Sequence, residues 1–133
     1  MSFLLDTHVW IWTQESPDRL GRKARKEIET TTEQLCVATI SPLEIARLVA
    51  TGTIVLKGDL RRWIAAAIDS IEGRTIELDH AVAMEAYRLP GKFHKDPADR
   101  LLVATARVHG LTFVTADERI LAYRGVRTLD ARA

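Results

Sequence analysis

The chain is short of several residue patterns, and each shortage excludes a class of protein. It has one cysteine, Cys36, so no disulfide framework is open to it. Cys36 lies in the apolar run Leu35-Cys36-Val37-Ala38 and reads as a buried core thiol of a reducing compartment. Cys/His zinc spacing, paired histidines, a serine or cysteine nucleophile motif and a phosphate-binding glycine loop are all missing. No apolar run approaches the ~20 residues of a membrane span, so no membrane association is expected. The opening Met-Ser-Phe-Leu-Leu-Asp lacks a basic stretch and meets an acid at once, which reads as no secretory signal. A cytoplasmic location is therefore expected. Neither sign of charge dominates, since the formal net charge is +1, and overall charge predicts no polyanion partner. Repeats and low-complexity segments are lacking too.

What remains is an ordinary globular composition, 47% hydrophobic and 28% charged over 133 residues. A chain of this length buries roughly two-thirds of its unfolded surface, so residues 1–133 read as one domain with its own core. Arg19, Arg22, Lys23, Arg25 and Lys26 crowd one early segment. A solvated helix face is the simpler account of them, with contact to a phosphate backbone the alternative.

Strand-like and helix-like segments alternate along the chain. Residues 3–5 form a short apolar run ending at Asp6. The segment 7–12 leads towards Ser16-Pro17, a helix-start signal. Leu20, Ala24 and Ile28 then recur every four residues, as on an amphipathic helix. Residues 35–40 read as a second buried strand, and Ser41-Pro42-Leu43-Glu44 opens a helix reaching about Ala50. Asp59 caps a helix in which Leu60, Trp63, Ile64, Ala67, Ile68 and Ile71 follow the helical template. Residues 75–78 form a short strand, and Asp79 caps the helix after it. Asp96-Pro97-Ala98-Asp99 opens a helix that Gly110 ends. Residues 111–115 form a fourth strand, followed by Asp117 and a short helix, and residues 126–129 an edge strand. This alternation predicts an α/β fold with a mainly parallel sheet of four to five strands flanked by helices. In such sheets, function gathers beyond the carboxyl ends of the strands.

Asp6, Glu44 and Asp117 follow strands at that side, and Asp99 opens a helix leading back into the sheet. Each has an innocent alternative. Ser41 and Glu44 fit a capping box, Asp96 and Asp99 fit a helix start, and Asp117 can cap the last helix. Asp6 fits that reading least, because it interrupts Phe-Leu-Leu-Asp-Thr-His-Val-Trp-Ile-Trp, where an uncompensated carboxylate is costly. Gathered together, the four acids could not all stay ionised without a cation, and oxygen ligands suit Mg²⁺ or Mn²⁺. Asp96 is ambiguous between a cap and an outer oxygen of such a site. His8 and His94 read as exposed or packing residues, and Trp10 and Trp12 as core or dimer-interface residues.

Four segments, in order, resemble the motifs of PIN domains of the VapC toxin type. They are Leu-Leu-Asp-Thr-His-Val-Trp-Ile-Trp at 4–12, Ser-Pro-Leu-Glu-Ile-Ala at 41–46, His-Lys-Asp-Pro-Ala-Asp-Arg-Leu-Leu-Val-Ala-Thr-Ala at 94–106 and Val-Thr-Ala-Asp at 114–117. The third is the most specific. Its Pro-Ala-Asp departs from relatives with a larger apolar residue before the acid, a packing difference. The resemblance implies a PIN-like fold and a Mg²⁺- or Mn²⁺-dependent endoribonuclease that acts as the toxin of a toxin–antitoxin pair. It places the acidic positions on Asp6, Glu44, Asp99 and Asp117. Thr115 falls on a hydroxyl position that orients the last acid, and Thr7 is a softer carry-over of the same kind. It also implies an RNA substrate, a cognate antitoxin whose tail covers the acidic groove, and a homodimer. The alternatives are a PIN-like nuclease of RNA processing or of DNA, and a non-catalytic module, either Mg²⁺-binding and regulatory or one in which all four acids are caps.

Overall fold

The computed structural model describes residues 2–133. Among these residues five strands, β1 (Phe3–Leu5), β2 (Leu35–Ala38), β3 (Arg74–Ile76), β4 (Thr112–Thr115) and β5 (Thr128–Asp130), form one sheet in the order β3-β2-β1-β4-β5. All four pairings are parallel. Among the described residues seven α-helices connect and cover them: α1 (Thr7–Glu15), α2 (Arg22–Thr30), α3 (Ile40–Ala50), α4 (Leu60–Ser70), α5 (His80–Glu85), α6 (Pro97–His109) and α7 (Glu118–Leu121).

Alternation along the inner strands sorts the core into two layers. Phe3 and Leu5 of β1, Leu35 and Val37 of β2 and Val114 of β4 face a cluster holding Val9, Trp10, Ile28, Ile45 and Ala67. Leu4, Cys36, Ala38 and Phe113 face the opposite way, against Leu102, Val103, Ala106 and Ile120. Trp10 is fully buried; its indole N–H donates to the Ala67 carbonyl at 3.2 Å and its ring meets Trp63 edge-on. That places Trp10 in the core, with Trp12 packed at the core's margin. Cys36 is a buried free thiol, as its apolar run predicts.

The local expectations need three corrections. Residues 7–12 do not merely lead to a helix; they are the helix α1, and Pro17 opens only a 3₁₀ turn, Pro17–Arg19. Thr7, Val9, Trp10 and Ile11 are all buried, so α1 carries no polar stripe for periodicity to reveal. The amphipathic helix begins after Gly21. Strand β2 stops at Ala38, and α3 starts before Ser41 with Thr39 at its N-cap position. Ser41 is therefore inside the helix, buried, and no capping box forms. The expected caps do form at Asp79, Asp96 and Asp117, whose side chains accept backbone N–H groups of α5, α6 and α7. Asp59 stands at the N-cap of α4 without a side-chain bond.

The strand order reverses direction at β1: β2 and β3 lie on one side, β4 and β5 on the other. A sheet wound in both directions leaves a crevice at the carboxyl ends of the two strands where the winding switches. Here those strands are β1 and β4, which end at Leu5 and Thr115, next to Asp6 and Asp117. No helix among the described residues is long and apolar enough to cross a membrane.

Candidate metal centre

Asp6 is the N-cap of α1 and only 9% exposed. One carboxylate oxygen accepts the Thr7 backbone N–H at 2.7 Å, and the other accepts the Thr115 hydroxyl at 2.7 Å. The Thr115 oxygen in turn accepts the backbone N–H of Asp117 at 3.1 Å. One buried hydroxyl thus ties the end of β1 to the end of β4. The family resemblance implies that Thr115 helps orient the last acid. In the structure it orients the first acid directly and reaches the last only through its backbone.

Thr7 makes the second link. Its hydroxyl donates to Glu44 at 2.5 Å, so its contact with Ser41 at 2.8 Å must be one in which Ser41 donates. Ser41 sits in the first turn of α3, one turn ahead of Glu44, so it and Thr7 fix the carboxylate between α1 and α3. Asp99 stands in the first turn of α6, where Asp96 caps by accepting from Ala98 and Asp99 at 2.9 and 3.2 Å. Asp96 itself is exposed. His94 Nε2 and Asp99 Oδ2 are hydrogen-bonded at 2.6 Å. Arg119 pairs with Asp117 at 3.1 Å and lies 3.8 Å from Asp99. Ligand atoms of His94, Asp99 and Asp117 all lie within 4.8 Å of one another, close enough to share one ion.

The electrostatics bind the four acids into one cluster. Burial pushes the Asp6 carboxyl up to about 7; the Thr115 bond opposes this, and the Asp99 and Glu44 charges add to it. Burial likewise raises Glu44 and Asp99 above the carboxylate range, with the Asp99 charge adding at Glu44 and the Asp96 and Asp117 charges adding at Asp99. Burial also acts upward on Asp117, but the hydrogen bonds and charge of Arg119 overturn it and hold this acid low. Three carboxyls whose ionisation burial opposes, around a shared space, are a setting in which a cation would favour the charged forms. The donor set is carboxylate oxygen with at most one imidazole, which suits a hard divalent cation.

All four predicted acids meet at one edge of the sheet, and Thr7 and Thr115 lie between them. Reading the sequence alone missed three neighbours. Ser41 was hidden by the capping-box pattern, His94 by the lack of a paired histidine, and Arg119 by the plain look of its Asp-Glu-Arg context. The spacing of His94 five residues before Asp99, across a helix start, was the only available signal for the second. Arg22, Lys23 and Lys26 lie along α2, where they line clefts with Glu27, Glu29 and Thr30 and not with the acids.

A five-stranded parallel sheet that collects carboxylates at the switch point of its carboxyl edge defines the class of the protein. The PIN domain model matches residues 3–126, and the chain belongs to that family. It is 40% identical over 124 residues to Ribonuclease VapC22 of Mycobacterium tuberculosis (strain ATCC 25618 / H37Rv), covering 93% of each chain. The fold superposes on DNA-bound VapBC from Salmonella typhimurium with a TM-score of 0.71, at 20% identity over 98% of both chains. VapBC2 from Rickettsia felis, bound to a promoter DNA fragment, gives a TM-score of 0.67 at 14% identity, over 97% of this chain and 98% of that one.

Proposed function

We propose that the chain is a metal-dependent endoribonuclease and the toxin of a VapBC-type pair. The single observation that carries the catalytic part is the convergence of Asp6, Glu44, Asp99 and Asp117 at one sheet edge, with three of them held above the ordinary carboxylate range. The 40% identity to a protein named a ribonuclease supports the choice of RNA as substrate. Asp6, Glu44, Asp99 and Asp117 would hold Mg²⁺ or Mn²⁺, directly or through water. A bound divalent ion supplies Lewis acidity towards water and charge neutralisation at a phosphoryl oxygen.

The chain's own groups prepare that site. Thr7 and Thr115 fix the carboxylates of Glu44 and Asp6, so the donor geometry exists before any ligand arrives. The apolar walls behind Asp6 keep the local dielectric low, which strengthens attraction for a cation. Burial raises Asp6 to about 7 and holds Glu44 and Asp99 above their ordinary values, so all three carboxyls would ionise more readily beside a bound cation.

The partner in this reading is a small antitoxin whose tail covers the acidic groove with an arginine, and the toxin is a homodimer. Cleavage of a panel of structured RNAs, with flap DNA beside it, tests the function. RNA should be cut with Mg²⁺ or Mn²⁺, not with chelator and not by Asp6→Asn. Cleavage that survives both chelator and the substitution rules out the metal-dependent mechanism, and preference for flap DNA rules out the substrate.

A further inference from the structure

A cleft of about 700 Å³ adjoins the acidic cluster, lined by the loop 90–94 on one side and residues 119–125 on the other. Its size lies within the ~300–1,000 Å³ of ligand-sized clefts. It is not a separate place on the surface, because His94 and Arg119 line it and both also reach Asp99. Its chemistry is the reverse of the site's. Among the described residues none of its lining is acidic, and Lys92, Arg119 and Arg124 supply positive charge. Lys92 and Arg124 are exposed and form no salt bridge among the described residues, so their charge is not spent within the protein.

The wall between these cations is aromatic and locked. Phe93 and Tyr123 meet with ring centroids 4.9 Å apart, and Phe93 lies against the His94 ring at 4.2 Å. The Tyr123 hydroxyl donates to the Pro90 carbonyl at 2.6 Å. Behind Tyr123 the chain passes so closely that a Cβ on Gly125 would come within 2.3 Å of the ring. Only glycine leaves room for the ring there. The Arg107 guanidinium holds the Gly125 carbonyl and the Glu85 carboxylate, which anchors the turn to α6 and α5. The Arg100 guanidinium donates to the Phe93 carbonyl at 2.9 Å.

A rigid aromatic wall flanked by unpaired cations is the arrangement that holds single-stranded nucleic acid, with bases on the rings and phosphates on the charges. We infer that this cleft is a nucleotide subsite of the substrate strand, holding the nucleotide next to the phosphate at the acidic cluster. Lys92 and Arg124 contact the strand's phosphates, the Phe93–Tyr123 wall takes a base, and Arg119 stands where the subsite meets the carboxylates. The inference rests on the nuclease reading for the direction of the strand, but the cleft's chemistry makes its own demand for a polyanion with flat rings.

The test separates the two. Binding of a fluorescein-labelled, mixed-sequence 12-nucleotide RNA to the Asp6→Asn protein is followed by anisotropy in chelator, against a Lys92→Ala/Arg124→Ala version of the same protein. Both changes are at exposed positions, and melting temperatures confirm folding. Loss of two phosphate contacts should weaken binding about 10- to 100-fold and make the log–log salt slope shallower by about 1.4. The Lys92→Arg/Arg124→Lys version should bind like its parent. Independently, a 4-thiouridine RNA should photocrosslink to peptides spanning 90–94 or 119–125. Unchanged affinity and salt slope, or crosslinks confined to other segments, overturn the subsite. Cleavage by the wild type alongside unchanged binding would discard the subsite and keep the nuclease. No cleavage alongside the predicted loss would keep the subsite and discard the nuclease.

Discussion

Replacing Asp6 with asparagine should make the metal-free protein more stable while removing its activity. The Asp6 carboxyl sits at about 7 in the folded chain against an ordinary 3.8. A folded value above the unfolded one means that the folded state holds a proton the unfolded state has lost, so stability falls as pH rises from about 4 to about 7. At about 1.4 kcal/mol per pH unit, the ionised group costs the native state about 4 kcal/mol above pH 7. Asparagine carries no such cost. It can accept the Thr7 N–H as Asp6 does, but it turns an amide donor or a mismatched oxygen towards Thr115, a loss of about 1–2 kcal/mol. The net gain in chelator at pH 8 is about 2–3 kcal/mol, or roughly 6–15 °C in Tm for a domain of this size. By pH 5 more than half of the ionisation cost has gone, and the advantage should shrink accordingly. Thermal unfolding in chelator at pH 5 and pH 8, parent against variant, measures this directly. An equal advantage at both pH values, or a variant less stable than its parent at pH 8, refutes the electrostatic account of Asp6. Millimolar Mn²⁺ should raise the Tm of the parent, because a ligand that binds only the folded state stabilises it, and should do much less for the variant.

Three further outcomes follow from individual contacts. Thr115→Val removes the hydroxyl that serves both Asp6 and the Asp117 backbone, and calorimetry should show Mn²⁺ affinity reduced about 10- to 100-fold; unchanged affinity contradicts the positioning role. Trp10→Ala empties the centre of one core layer and removes the indole donor to the Ala67 carbonyl, so urea unfolding should report a loss of about 3–5 kcal/mol, and a loss below about 2 would mean the layer collapses to fill the space. Gly110→Ala places a Cβ at φ +64°, where α6 terminates, and should cost about 1 kcal/mol with cleavage unaffected.

Much of the fold was legible in the order of the residues. Short apolar runs, helical spacing of Leu60 to Ile71 and capping residues at Asp79 and Asp96 are local signals, and the structure follows them. The segment 7–15 was not legible, because its buried residues Thr7, Val9, Trp10 and Ile11 include a polar one and the large apolar Trp12 lies outside them, so the amphipathic period is weak. Ser41 misled for a related reason. A capping box is a local pattern, and the long-range bonds from Ser41 to Thr7 and from Thr7 to Glu44 span more than 30 residues that no local rule connects.

The four carboxylates were visible as candidates because each follows an apolar run or stands in the first turn of a helix after a loop, and ordered motif resemblance singled them out. Which groups accompany them was decided only by the folded chain. The parallel order with β1 beside β4 brings Thr115 to Asp6 across 109 positions of sequence, and it turns the Phe93–Tyr123 wall and its cations towards the same edge. Residue type sets what a side chain can do. Whether burial raises its proton affinity, as at Asp6, or a neighbouring guanidinium lowers it, as at Asp117, depends on distances that exist only after folding.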